Sequence, residues 1–284
     1  MTLGITFFAL ATLVASRFME WNDHLLLRIN ALAGRSWLFD SVVVFFQDND
    51  LAKAGVIGCC FLAAWYGGRT AEATLKTRKT LIVTLVATLL VMATTKAISH
   101  TVFLPRPEVE AHKIYHLQGD QLVLMKRVPV RVPLDEGSQK DHRDLLSGDV
   151  QTNDLGSFPS DHAGFFIAIS LGIWLASRRL GWVALGWTVF VILAGKIITG
   201  HHTPLDVAAG AAIGASELLI LQLAAKKHLG HLVEGVSGWT LRYGALSSAI
   251  VFALAFEITS TLIHVQALFG LLSAVRRHVL LGMT

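Results

Sequence analysis

The chain has 284 residues, of which 53% are hydrophobic and 15% are charged, and its mean hydropathy is +0.56. These values exclude an ordinary soluble domain and predict a protein whose chain crosses a membrane several times. The net charge of +4 does not indicate a nucleic-acid partner, because the positive residues lie between apolar runs and form no basic face with interleaved aromatic side chains.

Seven apolar stretches are candidates for membrane-spanning helices, each of which needs about 20 mostly apolar residues. The first is expected to be a retained helix instead of a signal peptide, because no Lys or Arg precedes it and no convincing cleavage site follows before Arg17. The sequence therefore predicts an all-α fold, a polytopic membrane helical bundle. The stretches lie near residues 3–18, 51–66, 80–98, 162–177, 180–199, 205–225 and 243–260.

Two polar regions lie between these stretches. Residues 17–50 have the pattern of amphipathic helix at the outer membrane interface, with Trp21 and Trp37 as aromatic anchors. Residues 108–156 form a polar insertion, in which 114–117 and 122–125 predict a small hairpin around a glycine turn. A loop of this length is usually functional, so we expect a lid or a substrate-selecting cap.

The distribution of Lys and Arg predicts which side of the membrane each loop faces. Short loops rich in these residues stay cytoplasmic, and the segments 67–79, 177–179 and 226–228 are of this kind. Lys96, the stretch 99–160 and the His201-His202 turn must then all face the opposite side. The sequence thus predicts a multi-pass protein of the cytoplasmic (inner) membrane with an extracytoplasmic, or periplasmic, polar site.

The predicted organisation is one membrane core with an extension. The core is expected over residues 1–225, including the extracytoplasmic loop 108–156, and a C-terminal membrane extension over 226–284. After Arg242 the chain is largely apolar except for Glu257, and it crosses the membrane once or twice.

The tetrapeptide Pro159-Ser160-Asp161-His162 directly precedes an apolar run. In a purely structural interpretation, Ser160 is the N-cap of a helix and Asp161 favours the positive end of the helix dipole. In a functional interpretation, the helix start and the Ser160 hydroxyl donate hydrogen bonds to a phosphate and His162 donates a proton. Asp161 opposes the second interpretation in part, because a carboxylate repels phosphate.

The segment from His201-His202 to Asp206 also has two interpretations. Thr203 can cap a helix that begins at Pro204, with Asp206 as the acid of a capping box. Alternatively, Asp206 holds the His202 ring in the correct tautomer while the other ring nitrogen attacks phosphorus.

Three cations accompany these clusters near the outer ends of the spans. Lys96 and Lys196 lie inside apolar runs, where a charge is costly unless the side chain reaches the interface or has a partner. Arg106 lies in a stiff Pro-Arg-Pro turn that can present its planar fork to phosphate oxygens. A shared anion would account for the two lysines, which lie in different spans near the outer surface.

Taken together, these clusters resemble the three signature motifs of the type 2 phosphatidic acid phosphatase superfamily, over roughly residues 20–225. That family carries a lysine followed by Arg-Pro, then Pro-Ser-Gly-His, then Ser-Arg with a His and an Asp further on. Here the third motif begins with Gly195-Lys196, and the second is Pro-Ser-Asp-His, a variant associated with the undecaprenyl diphosphatase branch. In the first motif nine residues separate Lys96 from Arg106. The usual six would select Ser99.

The resemblance implies a six-helix phosphatase core with an extra C-terminal helix and a metal-independent hydrolase without cofactors. It implies that His202 attacks phosphorus, Asp206 orients it, and His162 protonates the leaving oxygen and later activates water. The equatorial phosphate oxygens would be neutralised by Lys96, Arg106, Ser160 and Lys196. The implied substrate is undecaprenyl diphosphate or a related lipid phosphate in the membrane, and the oligomeric state is open.

Three alternatives stay open at this point. The phosphoryl group could pass to another lipid, such as lipid A, instead of to water. The protein could be an anion-binding transporter, although the inverted halves that would favour it are not visible. Finally, a metal could be bound by His162, His201, His202 and Asp206.

Overall fold

The structure is a computed structural model, and it describes residues 17–102, 104–108, 115–118, 121–124, 129–147 and 156–259. Nearly all of the apolar stretch predicted near 3–18 lies outside these residues, as does the end of the C-terminal extension. The regular secondary structure of the described part is helical, except for one pair of short strands within the insertion.

Most of the helices follow the apolar runs of the sequence, whereas Glu136–Ser147 is a polar helix in the insertion that was not predicted from the sequence. Residues 17–30 form α1, and the others are α2 (Trp37–Asp48), α3 (Asp50–Tyr66), α4 (Ala71–Thr101), α5 (Glu136–Ser147), α6 (Asp161–Ala176), α7 (Arg178–Trp187), α8 (Ala194–Ile198), α9 (Pro204–Lys227), α10 (Gly230–Arg242) and α11 (Gly244–Thr259). A π-helical stretch, Thr188–Leu193, joins α7 to α8.

Several helix boundaries follow from single capping residues. The side chain of Asn49 accepts a hydrogen bond from Ala52 N at the start of α3, and that of Thr70 accepts one from Ala73 N at the start of α4. Such caps satisfy backbone amides that have no partner inside the helix.

The insertion contains an antiparallel pair of strands where the sequence predicts a hairpin. Strand β1 (Tyr115–Gln118) pairs with β2 (Gln121–Leu124), and Tyr115 lies opposite Leu124. The two amphipathic helices before the first described apolar helix are α1 and α2, and the predicted anchors Trp21 and Trp37 on them are both exposed.

Three described helices are long and apolar enough to cross a membrane, namely Ala71–Thr101, Arg178–Ile198 and Pro204–Lys227. The pair α10 and α11 passes the same test as a fourth span, bent by 110°. Helix α6 is apolar but has 16 residues, which at about 1.5 Å each is shorter than the roughly 30 Å hydrocarbon core. The protein is therefore a multi-pass membrane protein, while the counts of seven spans and of six core helices stay predictions.

Helix α6 lies at the centre of the core and packs against α4, α7 and α9. Its side chains Phe165, Phe166, Ile169 and Ile173 are completely buried. The approach to α9 is close because Gly164, Gly210 and Gly214 carry no side chains; a Cβ at Gly210 would clash with the carbonyl oxygen of Ser160. Small residues allow this approach between membrane helices, and here they bring the starts of α6 and α9 together.

Candidate active site

The start of α6 carries the predicted Pro-Ser-Asp-His cluster. Ser160 is the N-cap, and its Oγ accepts a hydrogen bond from Ala163 N at 3.3 Å. The residue is completely buried, and the cap uses its hydroxyl oxygen as an acceptor, which leaves the O–H able to donate. The structural interpretation of Ser160 is confirmed, and its contact with phosphate stays a prediction.

The start of α9 carries the end of the third cluster. Thr203 is its N-cap and Pro204 its first residue, and Asp206 completes a capping box. Asp206 Oδ2 accepts from Thr203 N at 2.7 Å, and its carbonyl accepts from Ser160 N at 3.0 Å. The structural interpretation of Asp206 is therefore confirmed, and its backbone ties the two helix starts together.

The loop between α8 and α9 presents the two histidines. The amides of His201 and His202 both donate to the carbonyl of Lys196, at 3.0 and 3.2 Å. Gly200 has a φ of +80°, a conformation that glycine adopts without strain. The chain thus folds back over the end of α8, a common way to satisfy terminal helix carbonyls, and it carries the histidines into the site above the buried Lys196.

The ring of His202 is held by a main-chain carbonyl. Its Nδ1 lies 3.0 Å from the carbonyl oxygen of Ser157. Because a carbonyl only accepts, Nδ1 carries the proton and Nε2 keeps its lone pair. One oxygen of the Asp206 carboxylate accepts from the amide of Thr203, and the role of Asp206 in orienting the His202 ring stays a prediction.

His202 is neutral at physiological pH. Burial lowers the pKa of His202 to about 3, and the positive charges of Lys196 and Arg106 act in the same direction. Only 4% of its surface is exposed. A neutral imidazole with an unprotonated Nε2 is the form that can act as a nucleophile.

His162 and Lys96 meet on the carboxylate of Asp161. Asp161 Oδ1 lies 2.9 Å from His162 Nδ1, and its Oδ2 lies 3.6 Å from Lys96 Nζ. The negative charge of Asp161 is thus matched by a cation, which removes the objection that it repels phosphate. One ring nitrogen each of His162 and His202 and one oxygen of Asp161 lie within 4.8 Å of one another.

The backbone of the first motif is joined to the segment that precedes the second cluster. Pro105 forms an isolated antiparallel bridge with Gly156, and the amide of Ser157 donates to the carbonyl of Leu104. Ser99, which the usual family spacing selects, lies beside Gly156, where an added Cβ would be 3.1 Å from its Oγ. Of the two candidates, Lys96 is the one in contact with the His162 pair.

Glu108 was not among the predicted site residues. Its Oε1 lies 3.9 Å from Arg106 Nη1 and its Oε2 lies 3.5 Å from His201 Nδ1. Burial raises the pKa of Glu108 to about 7, against the opposing charges of Arg106 and Lys196. The only sequence signal for it is its place two residues after Arg106, in a segment without periodicity.

His201 is the second residue, after Arg106, that lies close to the carboxylate of Glu108. Its Nδ1 also lies 2.7 Å from Thr199 Oγ1. Burial, Lys196 and Arg106 keep the pKa of His201 well below its usual range. His201 is thus a neutral, hydrogen-bonded group at the rim of the site and not an ordinary loop histidine.

Asp161, His162 and His202 have donor atoms close enough to hold a metal ion. Within the described part of the chain this is the one such group, and it differs from the four ligands considered from the sequence because it lacks His201 and Asp206. The carboxylate of this group already pairs with Lys96 and His162, and two further cations, Arg106 and Lys196, influence His202. This charge distribution fits an anion better than a cation.

Comparison with known proteins agrees with this geometry. The chain is 41% identical over 73 residues to the "Bacitracin transport permease protein BcrC" of Bacillus licheniformis, a match covering 25% of this chain and 34% of that protein. It is 25% identical over 188 residues to the "Undecaprenyl-diphosphatase BcrC" of Bacillus subtilis (strain 168), covering 66% of this chain and 75% of that protein. The first match thus spans about a third of its relative's length. No solved structure matches significantly. The family model of the PAP2 superfamily matches residues 80–228, more than half of the chain and the part that holds all three clusters, and the protein therefore belongs to the PAP2 superfamily.

Proposed function

We propose that the protein is a membrane lipid phosphatase that works through a phosphohistidine on His202. The observation that carries the proposal is the pair of histidine nitrogens within 4.8 Å of each other, with His202 Nδ1 on the Ser157 carbonyl. That contact directs the unprotonated Nε2 toward a reacting group, and His162 is close enough to serve the same phosphorus centre.

The reaction proceeds in two displacements. The lone pair of His202 Nε2 forms a bond to phosphorus as the bond to the leaving oxygen breaks, and His162 gives that oxygen a proton. His162 then accepts a proton from water, whose oxygen attacks the phosphohistidine and releases inorganic phosphate with the Nε2 lone pair restored. His162 ends protonated as it began, and each step needs only groups of the site and water.

The cations stabilise the charge that spreads over the equatorial phosphate oxygens, which is the main catalytic task in phosphoryl transfer. Arg106, Lys96 and Lys196 supply this charge, with the Ser160 hydroxyl as a hydrogen-bond donor. The amides of His162 and Ala163 at the start of α6 already donate to Asp161 Oδ1 and Ser160 Oγ. Asp206 supports the reaction by joining the starts of α6 and α9. The mechanism uses no metal.

The substrate we propose is undecaprenyl diphosphate or a related lipid phosphate, which the name of the Bacillus subtilis relative supports. We place the site on the extracytoplasmic face of the inner membrane, because the basic loops predict the opposite side for the cytoplasm. There the lipid tail stays between helices while the headgroup reaches the histidines.

A second candidate is a transport function, which the name of the Bacillus licheniformis relative favours. In that case the same cations would hold an anion without breaking a bond. Release of inorganic phosphate separates the two, because a transporter leaves the phosphate ester intact.

The test is an assay of phosphate release by purified protein in detergent on a panel of lipid phosphates and diphosphates, with and without chelator and vanadate. We expect turnover that vanadate inhibits and chelator does not. His202→Ala should abolish it, and His228→Ala, on the loop predicted to be cytoplasmic, should not. Turnover by His202→Ala, or loss in chelator with recovery in zinc, would refute the mechanism.

A further inference from the structure

The C-terminal end of α8 leaves four backbone carbonyls, 195–198, that need hydrogen-bond donors. Amides of the loop 199–202 donate to the first three. The fourth, the carbonyl of Ile198, accepts a hydrogen bond at 2.9 Å from the side chain of Asn30, at the end of α1. A residue far away in sequence thus completes the helix end from which the histidine loop departs.

Asn30 uses every polar atom of its side chain. Its Nδ2 donates to the carbonyls of both Ile198 and Arg131, and its Oδ1 accepts from Arg131 N at 2.6 Å. The side chain is buried, with 1% of the residue exposed. The amide of Arg131 needs a hydrogen-bond acceptor, and the carbonyls of Ile198 and Arg131 need donors. Only a side-chain amide in this orientation supplies both.

Arg131 belongs to residues 129–135 of the insertion, which we call the strap. The strap has a second attachment, because Asp40 Oδ2 accepts from Leu134 N and from Gly34 N, both at 3.0 Å. It also lies beside the histidine loop, since a Cβ added at Gly200 would be 3.3 Å from Val130 Cγ2. Two buried side chains, Asn30 and Asp40, therefore hold the strap, in addition to an exposed contact of Arg131 Nη1 with the carbonyl of Ala31. Of these two side chains, Asn30 is the one that hydrogen-bonds to α8.

We propose that Asn30 is a positioning residue for the histidine loop. By joining Ile198 to the strap it fixes the loop 199–202, and with it the Nε2 of His202, in the geometry needed for attack. In this arrangement the strap is a fixed part of the site. A lid, in contrast, would have to separate from the loop 199–202 in each catalytic cycle. This inference goes beyond the proposed function but uses its turnover as one readout.

The test compares two variants that both release the strap. Asn30→Asp keeps size and shape but places a carboxylate oxygen opposite two carbonyls, so it breaks the link to Ile198. Asp40→Ala removes the acceptor of Leu134 N and leaves Asn30 intact. If Asn30→Asp does not fold, Asn30→Ser, which keeps a hydroxyl donor, replaces it in the comparison. For each variant, kcat, KM, thermal unfolding and hydrogen exchange of the amides of 199–202 are measured.

We expect Asn30→Asp to lower kcat about 10- to 100-fold, the scale of a misplacement near 1 Å, with KM within about threefold because the phosphate-binding cations remain. Exchange of the 201 and 202 amides should rise in Asn30→Asp and stay normal in Asp40→Ala at a comparable loss of thermal stability. Equal kcat losses in the two variants, or unchanged exchange in Asn30→Asp, would overturn the inference. The exchange measurement stands even if no lipid phosphate is a substrate, whereas an inactive wild-type protein would refute only the proposed function.

Discussion

Lys96 and Asp161 both depart from the usual family motifs, and they contact each other, with Lys96 Nζ 3.6 Å from Asp161 Oδ2. The aspartate stands where the motif has glycine, and the lysine is displaced by almost one helical turn. The side-chain amine thus compensates the additional negative charge beside the phosphate site. The two departures are therefore one feature.

This pairing predicts that the two residues are energetically coupled. Lys96→Met leaves Asp161 uncompensated and should lower kcat/KM at least about tenfold, and Asp161→Asn should lower it less. The double variant should lose less than the product of the two single losses, by about fivefold, as expected for residues in contact. A double-mutant cycle on phosphate release measures this, and strictly multiplicative losses would contradict the coupling.

Replacement of His162 and replacement of His202 should block different steps of the reaction. With an activated aryl phosphate the leaving group needs no proton, so His162→Ala should still form the phosphohistidine but hydrolyse it slowly. Labelled phosphate should then remain on the protein after a quench in alkaline detergent, in a bond stable to base and labile to acid. His202→Ala should carry no label. Label on His202→Ala, or none on His162→Ala, would contradict the assigned roles.

The positions of helices could be predicted from the sequence far better than the contacts of the site. The apolar runs and the Ser160 and Thr203 caps are local signals, and the helices start where those caps predict. The acceptor for His202 is a backbone carbonyl, which no residue type marks. Glu108 and Asn30 act through chain segments distant in sequence, and only the folded chain brings these together.

Glu108 should make substrate binding depend on pH. With a pKa of about 7, its carboxyl is neutral below that pH and negative above it. The negative form repels phosphate, so KM should rise as pH increases from 6 to 8. Glu108→Gln should lack this rise. The substrate's own ionisation, with a pKa near 6, is shared by both proteins, so parallel KM profiles would remove Glu108 from phosphate binding.

We expect the contribution of Arg106 to activity to require its guanidinium group and not only a positive charge. Its planar fork can bind two phosphate oxygens at once, whereas a lysine acts as a point charge. Arg106→Lys should therefore lower kcat/KM about tenfold or more, and Arg131→Lys, a change on the strap whose side chain is exposed, should have little effect. Equal rates for Arg106→Lys and the wild type would exclude Arg106 from the site.

The contact between α6 and α9 should tolerate no side chain at Gly210. An alanine there would press its Cβ against the Ser160 carbonyl and Ala163, and overpacking of this kind costs about 1–3 kcal/mol. It would also separate the amide of Ser160 from the carbonyl of Asp206, so activity should fall together with stability.

Gly238→Ala is the matched control, because nothing lies within 4 Å of a Cβ at that helical position. Alanine favours helix over glycine by about 1 kcal/mol, so the control should unfold at the same or a higher temperature and keep its turnover. If Gly210→Ala behaved like Gly238→Ala, the close helix approach would not be what holds the two clusters together.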